Sequence, residues 1–262
     1  MGETMEADPI ITGTLGRIGV VTLNRPADKN TFTIPFARQL DEALRAMEND
    51  PEVGVVVINA NGKHFSTGIA LDQFQGKSQP EYREFLRQID AFYHTLADMK
   101  KVTVASVQGY AVANGAGLAF ACDLTVAADT AIFGTTAINV GLICLGPAAP
   151  LSRIVGRKKA LEMILTGEMF GAEEARRLGL VNRVVPADQL ESATMALAEK
   201  LAAKSPLALK AGKEGINRLR DVPYHQGLDT MDDLFSGLCA TEDAAEGVQA
   251  FLGKRAPAWK ER

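Results

Sequence analysis

Ser106-Val107-Gln108-Gly109-Tyr110-Ala111-Val112-Ala113-Asn114-Gly115-Ala116-Gly117-Leu118-Ala119-Phe120-Ala121-Cys122-Asp123 is the stretch on which the fold turns. An apolar run from Val102 to Val107 reads as a buried strand and enters a turn of small residues. A run rich in Ala, Leu and Phe leaves it with helical character. Gly and Ala around Asn114 let a main-chain N–H point outward at a helix N-terminus, where partial positive charge collects. That arrangement suits an oxygen atom gaining negative charge during a reaction. A strand-turn-helix of this composition also occurs as a plain connection in α/β proteins, so its companions decide how it is read.

Upstream, Ile10–Thr14 and Ile18–Leu23 read as a hairpin about Gly16, and residues 24–30 carry turn chemistry. Thr33 caps a helix with an apolar stripe of Phe36, Leu40, Ala43, Leu44 and Met47. The β-branched run from Val53 to Ile58 predicts a strand, and residues 59–68 a loop. The spacing of Tyr82, Phe85, Leu86, Ile89, Phe92, Tyr93 and Leu96 predicts one helix from Pro80 to Met99. Downstream come strands at Leu124–Ala128 and Ala131–Phe133, helical segments near Leu151–Ile154, Lys158–Leu165 and Ala172–Leu178, and a strand at Gly179–Val185. Strand signals then cease, and helices are expected at Asp188–Lys204, Pro206–Leu219, Tyr224–Leu238 and Asp243–Leu252. Residues 1–195 therefore read as a β/α core and residues 196–262 as an all-helical region. Such alternation favours parallel pairing, although paired short strands before a helix fit a simple doubly wound sheet less well.

Composition narrows the function. The 262 residues carry a net charge of −4, leaving no basic excess for a nucleic-acid partner. Cys122, Cys144 and Cys239 have no C-x-x-C spacing, and His64, His94 and His225 stand far apart. Neither a disulfide framework nor a metal site is expected. Met1–Pro9 is polar and acidic, unlike a signal peptide, and no apolar run reaches the roughly 20 residues of a membrane helix. A cytoplasmic protein is expected.

Taken together, the landmarks resemble the crotonase superfamily, the enoyl-CoA hydratase/isomerase family, across nearly the whole chain. They are Leu23-Asn24-Arg25-Pro26 with Asn30, Phe65-Ser66-Thr67-Gly68-Ile69-Ala70-Leu71, Gln108-Gly109-Tyr110-Ala111 through Cys122-Asp123, Phe133-Gly134, Leu165-Thr166-Gly167, Gly179-Leu180-Val181-Asn182-Arg183-Val184-Val185-Pro186, and Thr241-Glu242-Asp243 onward to Lys254-Arg255. The resemblance implies an α/β fold, a spiral of ββα turns with a C-terminal helical trimerisation region, assembled as a homotrimer or a dimer of trimers. It implies an acyl-CoA thioester as ligand, with no cofactor beyond its CoA moiety. Carried over by position, the amides of Thr67 and Asn114 would hold the thioester oxygen as an enolate forms beside it. Such a donor is typically worth ~2.7–4 kcal/mol in a transition state. Asn also tolerates left-handed backbone angles. Ala27 and Lys29 would cradle the CoA adenine, Ile69 and Leu71 flank the groove, and Phe235, Phe251 and Lys254 close over CoA, often from a neighbouring subunit.

The chain departs from the family pattern at two positions. Hydratases of the family place glutamates where this sequence has Gly117 and Ala137. Adding water across a C=C bond needs one group to activate the water and one to protonate the α-carbon, each worth ~10²–10⁴-fold. The loop Thr135–Pro147 holds no carboxylate or imidazole, only neutral polar groups and the Cys144 thiol. Cys144 is a candidate nucleophile or acid/base, set against the common fate of such a cysteine as a small buried hydrophobe. Two functions stay open on the sequence: an acyl-CoA enzyme stabilising an enolate without the usual glutamates, and a non-catalytic acyl-CoA-binding or scaffold protein on the same fold.

Overall fold

Six strands build the main sheet of the computed structural model, which describes residues 8–262; the leading residues expected not to form a signal peptide lie, up to residue 7, outside the described part. β1 (Ile10–Leu15) and β2 (Ile18–Leu23) form the expected hairpin. β2 then pairs in parallel with β3 (Val55–Ala60), β3 with β4 (Val102–Val107), β4 with β6 (Leu124–Ala128), and β6 with β9 (Arg183–Val185). The runs of Val and Ile that announce β3 and β4 are buried on both faces, as strands in a covered parallel sheet must be. A second sheet stands beside it: β5 (Tyr110–Val112), β7 (Ile132–Gly134) and β8 (Met169–Gly171) in the order β5-β7-β8. Each turn of chain thus contributes strands to two walls before returning through a helix, the ββα spiral that the resemblance implies.

The helices of the core are α1 (Ile34–Asn49), α2 (Gln79–Ile89), α3 (Ala91–Asp98), α4 (Asn114–Ala121), α5 (Leu145–Thr166), α6 (Ala172–Arg177) and α7 (Leu190–Ala202). Thr33 caps α1 as its sequence announces, its hydroxyl accepting from the Phe36 amide. The single helix expected from Pro80 to Met99 is two, broken at Asp90 (φ −95°, ψ 4°). The two segments expected between Leu151 and Leu165 run inside one longer element, whose helical path is interrupted at Gly156 (φ +74°). The strand expected at Gly179–Val185 is confined to its last three residues. Gly179 (φ +80°) turns the chain, and Asn182 stands in for a ladder residue, its side chain accepting from the Thr125 amide at 2.8 Å.

The boundary expected at residue 195 moves. It would cut α7, whose Leu197 and Ala198 are buried on the main sheet and whose Thr194 hydroxyl meets Ser106 of β4 at 3.0 Å. The change of architecture falls at residues 203–205, before α8 (Pro206–Arg218), α9 (Tyr224–Cys239) and α10 (Glu242–Leu252). Two polar anchors tie these helices back. Lys213 of α8 reaches Asp123 at 2.8 Å, and that carboxylate also accepts from the amide and hydroxyl of Thr103. Asp243 of α10, 1% exposed, accepts from Ser205 and from the amides of Lys260 and Glu261, fixing the C-terminal segment. α9 packs on α8 and α10. The outer faces of α8–α10 leave Ile216, Tyr224, Phe235, Val248, Phe251 and Leu252 exposed.

Candidate active site

The site grows from the junction of three loops with the N-terminus of α4. Asn30, fully buried, is the clamp. Its side chain accepts from the Arg25 amide at 2.7 Å and donates to the carbonyls of Asn61 and His64, while its own carbonyl accepts from the Ser66 hydroxyl at 2.8 Å. The 59–68 loop is in turn stitched to β5: the Ser66 amide donates to Tyr110 and the Val112 amide to Ser66. Gly68 (φ +89°) then passes so close to α4 that an added Cβ would lie 2.6 Å from the Ala113 Cβ and 3.3 Å from the Asn114 amide nitrogen. The two turns singled out by sequence are therefore neighbours in space.

The register of the first donor differs from expectation. The Thr67 amide is engaged, donating to the Lys29 carbonyl at 3.2 Å. The Gly68 amide meets the Ser66 hydroxyl and the Ala70 amide the Phe32 carbonyl. Ile69, bridged to Phe32, carries the one amide of this turn for which no described residue supplies an acceptor. On the other side, Asn114 is the first residue of α4, and a first-turn amide has no carbonyl four residues back within its helix. The left-handed angle belongs to the preceding residue: Ala113 has φ +49°, ψ −125°, a conformation that costs an L-residue roughly 1–3 kcal/mol. Asn114 is helical, and its side chain has another use.

That side chain, 6% exposed, donates to Asp90 Oδ1 at 2.9 Å. Asp90 sits in the break between α2 and α3, and Tyr93 lies one turn further on. Tyr93 is half-buried, yet its hydroxyl oxygen is enclosed and has no hydrogen-bond partner among the described residues. Glycines make the room. A Cβ on Gly117 would fall 1.8 Å from Tyr93 Oη, and one on Gly146 would fall 3.0 Å from Asp90 Oδ2 and 3.2 Å from the Tyr93 ring. Burial pushes the Asp90 carboxyl above the usual carboxylate range, against the opposing bond from Asn114. Burial also raises the Tyr93 phenol well above its ordinary value, helped by the nearby Asp90. One half-buried carboxyl and one neutral phenol thus face the first turn of α4.

Cys144 lies near Tyr93, and Ala137 near Cys144. Ala137 is half-buried in a single 3₁₀ turn (Thr136–Val140), and its main chain lies near the Cys144 thiol. Burial pushes that thiol up, the wrong direction for a thiolate nucleophile. Cys144 therefore fits the alternative weighed for it, a small buried hydrophobe. On the outer rim, Ala27, Lys29 and Leu71 are exposed. Lys29 and Lys63 lie close enough to His64 to hold its pKa down, after the larger effect of burial. His64 stacks on Tyr110 at 4.8 Å, its Nδ1 accepting from the Tyr110 amide. Phe235 on α9, Phe251 on α10 and Lys254 just beyond are exposed on the C-terminal helices. No group of three or more His, Cys, Asp or Glu side chains among the described residues is arranged to hold a metal, and no described helix is long and apolar enough to cross a membrane.

Asp90 and Tyr93 stand at this junction without having been singled out in the sequence. Their signal was an acid set into the apolar run Ile89-Asp90-Ala91-Phe92-Tyr93, where a helix gains nothing from a charge.

The chain is similar to known proteins along nearly its whole length. The enzyme 2,3-dehydroadipyl-CoA hydratase of Escherichia coli is 36% identical over 247 residues, covering 94% of this chain and 95% of that protein. A Rhizobium meliloti protein named "Probable enoyl-CoA hydratase" is 38% identical over 98% of this chain and all of its own length. Among solved structures, the enoyl-CoA hydratase of Mycobacterium smegmatis superposes with a TM-score of 0.92 at 34% identity, over 96% of this chain and 98% of that one. The family model for enoyl-CoA hydratase/isomerase matches residues 14–262, from the first hairpin to the last residue. With its spiral sheet, its two facing turns and this span of sequence, the chain belongs to the enoyl-CoA hydratase/isomerase family.

Proposed function

We propose that the protein acts on an acyl-CoA thioester and stabilises the enolate formed next to the thioester carbonyl. The observation that carries this reading is the pair of main-chain amides, Ile69 and Asn114, left without acceptors where two loops meet. Ile69 replaces Thr67 in that role because the Thr67 amide already holds Lys29. In this reading Gly117 and Ala137 occupy the positions of the glutamates used by hydratases of the family. Ala27, Lys29 and Leu71 receive the CoA, whose phosphates meet Lys29 as a point charge. Phe235, Phe251 and Lys254 cover it from a neighbouring subunit of a trimer or dimer of trimers, an assembly that would also bury the exposed faces of α8–α10. No cofactor beyond the CoA moiety is required, and the three free cysteines fit a reducing cytoplasm.

The test is calorimetry with crotonyl-CoA and butyryl-CoA, run beside loss of enoyl-thioester absorbance. Saturable binding of both thioesters, absent with the free acids, is expected. A second reading, a non-catalytic acyl-CoA-binding protein, has in its favour the Tyr93 hydroxyl lodged against Gly117. Binding with no turnover of hydratase, isomerase, hydrolase or decarboxylase substrates would select it, and no binding of any thioester would refute both.

A further inference from the structure

We propose that Asp90 is the base that moves the proton on the carbon next to the thioester carbonyl, with the neutral Tyr93 hydroxyl beside it. The inference rests on the acyl-CoA reading above and supplies the proton chemistry which that reading leaves without a residue.

Position is the first ground. Asn114 joins the two parts of the site: its amide is one of the free donors, and its side chain holds Asp90 Oδ1 at 2.9 Å. The carboxylate is thus one side chain away from the place where a thioester oxygen would be gripped. Hydrogen bonding through Oδ1 leaves Oδ2 as the oxygen with basic capacity to use, and among the described residues no bond to it is made. Room is the second ground. Two glycines, Gly117 and Gly146, leave the space that Tyr93 Oη and Asp90 Oδ2 occupy, and a methyl group at either would intrude on them. The third ground is cost. An enclosed hydroxyl without a partner typically lowers stability, and a desolvated carboxyl does so too once ionised. Of the buried side-chain oxygens and nitrogens in the described residues, only Tyr93 Oη and Asn59 Oδ1 lack partners. Asn59 lies on β3, away from α4. Burial keeps the phenol protonated and raises the carboxyl above its ordinary value, so that its ionised form is a stronger base than an ordinary aspartate.

The step balances without a co-reactant. Asp90 Oδ2 takes the α-proton; the C–H electron pair becomes the C=C bond of the enolate, and the carbonyl π pair moves onto the thioester oxygen between the Ile69 and Asn114 amides. Return of the proton from the Asp90 carboxylic acid, to the same carbon or to the γ-carbon of an enoyl chain, closes the cycle. The reaction class is proton transfer next to a thioester, seen as α-hydrogen exchange in a saturated chain and as double-bond migration in an unsaturated one.

The experiment is α-hydrogen exchange of butyryl-CoA in D2O, followed by NMR on the full chain, with affinity measured separately by calorimetry. Wild type is expected to exchange the α-CH2 well above the buffer rate. Asp90→Asn, which keeps the acceptor for Asn114, should lower exchange at least 100-fold with affinity changed less than threefold. Asp90→Glu should recover part of the loss. Tyr93→Phe should lower the saturated exchange rate about tenfold, again at unchanged affinity, a split that a purely structural hydroxyl would not produce. Binding without exchange in wild type, or exchange undiminished in a folded Asp90→Asn protein, overturns the proposal and leaves the acyl-CoA reading standing. Failure of wild type to bind butyryl-CoA removes both.

Discussion

Replacing Gly117 by Ala probes the pocket without touching a polar group. Two opposed effects can be weighed. Gly117 lies inside α4, so alanine there gains about 0.8–1.0 kcal/mol of helix propensity. Its Cβ would meet Tyr93 Oη at 1.8 Å, Tyr93 Cζ at 2.9 Å and Pro147 Cγ at 3.0 Å, against an ordinary contact of about 3.5–4.0 Å. The phenol cannot retreat freely, because its ring lies tilted against Phe92 with centroids 4.1 Å apart and Phe92 is core. Overpacking typically costs ~1–3 kcal/mol, and three contacts this close at once put Gly117→Ala in the upper half of that range, so the clash outweighs propensity and a net loss of about 1–2 kcal/mol is expected. At roughly 2–4 °C per kcal/mol for a chain of this size, Tm should fall by about 2–8 °C at fixed protein concentration. Tyr93→Phe deletes the atom at 1.8 Å and the unpartnered hydroxyl together. Alone it should stabilise by about 1 kcal/mol, and combined with Gly117→Ala it should restore wild-type stability or better. The double-mutant cycle, read by urea unfolding with circular dichroism, should therefore show a coupling above about 1 kcal/mol. A Gly117→Ala protein as stable as wild type, or additivity within about 0.5 kcal/mol, would refute this placement of Tyr93. Introducing glutamates at 117 and 137 should likewise fail to confer hydration unless Tyr93 is also cut back to Ala.

Three further outcomes are expected. Ala113→Gly should stabilise the protein by about 1 kcal/mol, since relief of ~1–3 kcal/mol of strain exceeds the ~0.5–1 kcal/mol entropic cost of glycine; a lowered urea midpoint at unchanged slope would contradict it. Asp243→Ala leaves the Lys260 and Glu261 amides and the Ser205 hydroxyl without their acceptor, a loss of about 1.5–3 kcal/mol, and should make residues 253–262 sensitive to protease. Unchanged digestion would show that the tail is held by other contacts. The raised Asp90 pKa also predicts a pH effect on stability. The folded state holds that proton more tightly than the unfolded chain, so Asp90 favours folding below the ordinary carboxylate range near pH 3.9. That contribution disappears as pH rises through the folded value, whereas exchange activity should rise over the same window. Wild type minus Asp90→Asn, measured by unfolding from pH 4 upward, isolates the contribution; a difference of the opposite slope would exclude it.

Most of the fold is legible in the sequence because its strands carry their own burial signal. Val55–Ile58 is apolar on both faces, and in Val102–Val107 only Thr103 and Ser106 interrupt the apolar run, both of them buried. The break at Asp90 is hidden for a related reason. Phe85, Ile89, Phe92 and Leu96 keep one buried stripe across it, so periodicity reports a continuous helix. Asp90 leaves the helical path while its side chain takes a bond from Asn114, twenty-four residues away, and no local propensity encodes that. β8 is hidden by its length of three residues, and its pairing with β7 is a tertiary fact. The displaced turn at Ala113 has the same origin. Residue type favours Asn114 for a left-handed angle, but the close approach of Gly68 sets the conformation one residue earlier.

The features the sequence conceals are also the ones that weaken the fold locally. Ala113 holds a strained angle, Ile69 and Asn114 present amides without acceptors, Asp90 is a desolvated acid, and Tyr93 encloses a hydroxyl with no partner. Elsewhere in the described residues, buried polar groups such as Asn30, Ser66, Thr103 and Asp243 are bonded. Local conflicts gathered at one junction, with the Asn59 side-chain oxygen the one other buried side-chain polar atom without a partner among the described residues, are the pattern of a site organised for a ligand rather than for stability. On the proposed reading their chemistry specifies that ligand. It must bring an acceptor oxygen to the two amides and, within a side chain's reach, a hydrogen acidic enough for a carboxylate to take. A thioester with an α-hydrogen has both on adjacent carbons. A carboxylic acid would instead bring a second negative charge to Asp90. Free butyrate should therefore fail to compete with butyryl-CoA at any pH where Asp90 is ionised, and effective competition by butyrate there would show that the amides and the carboxyl serve different ligands.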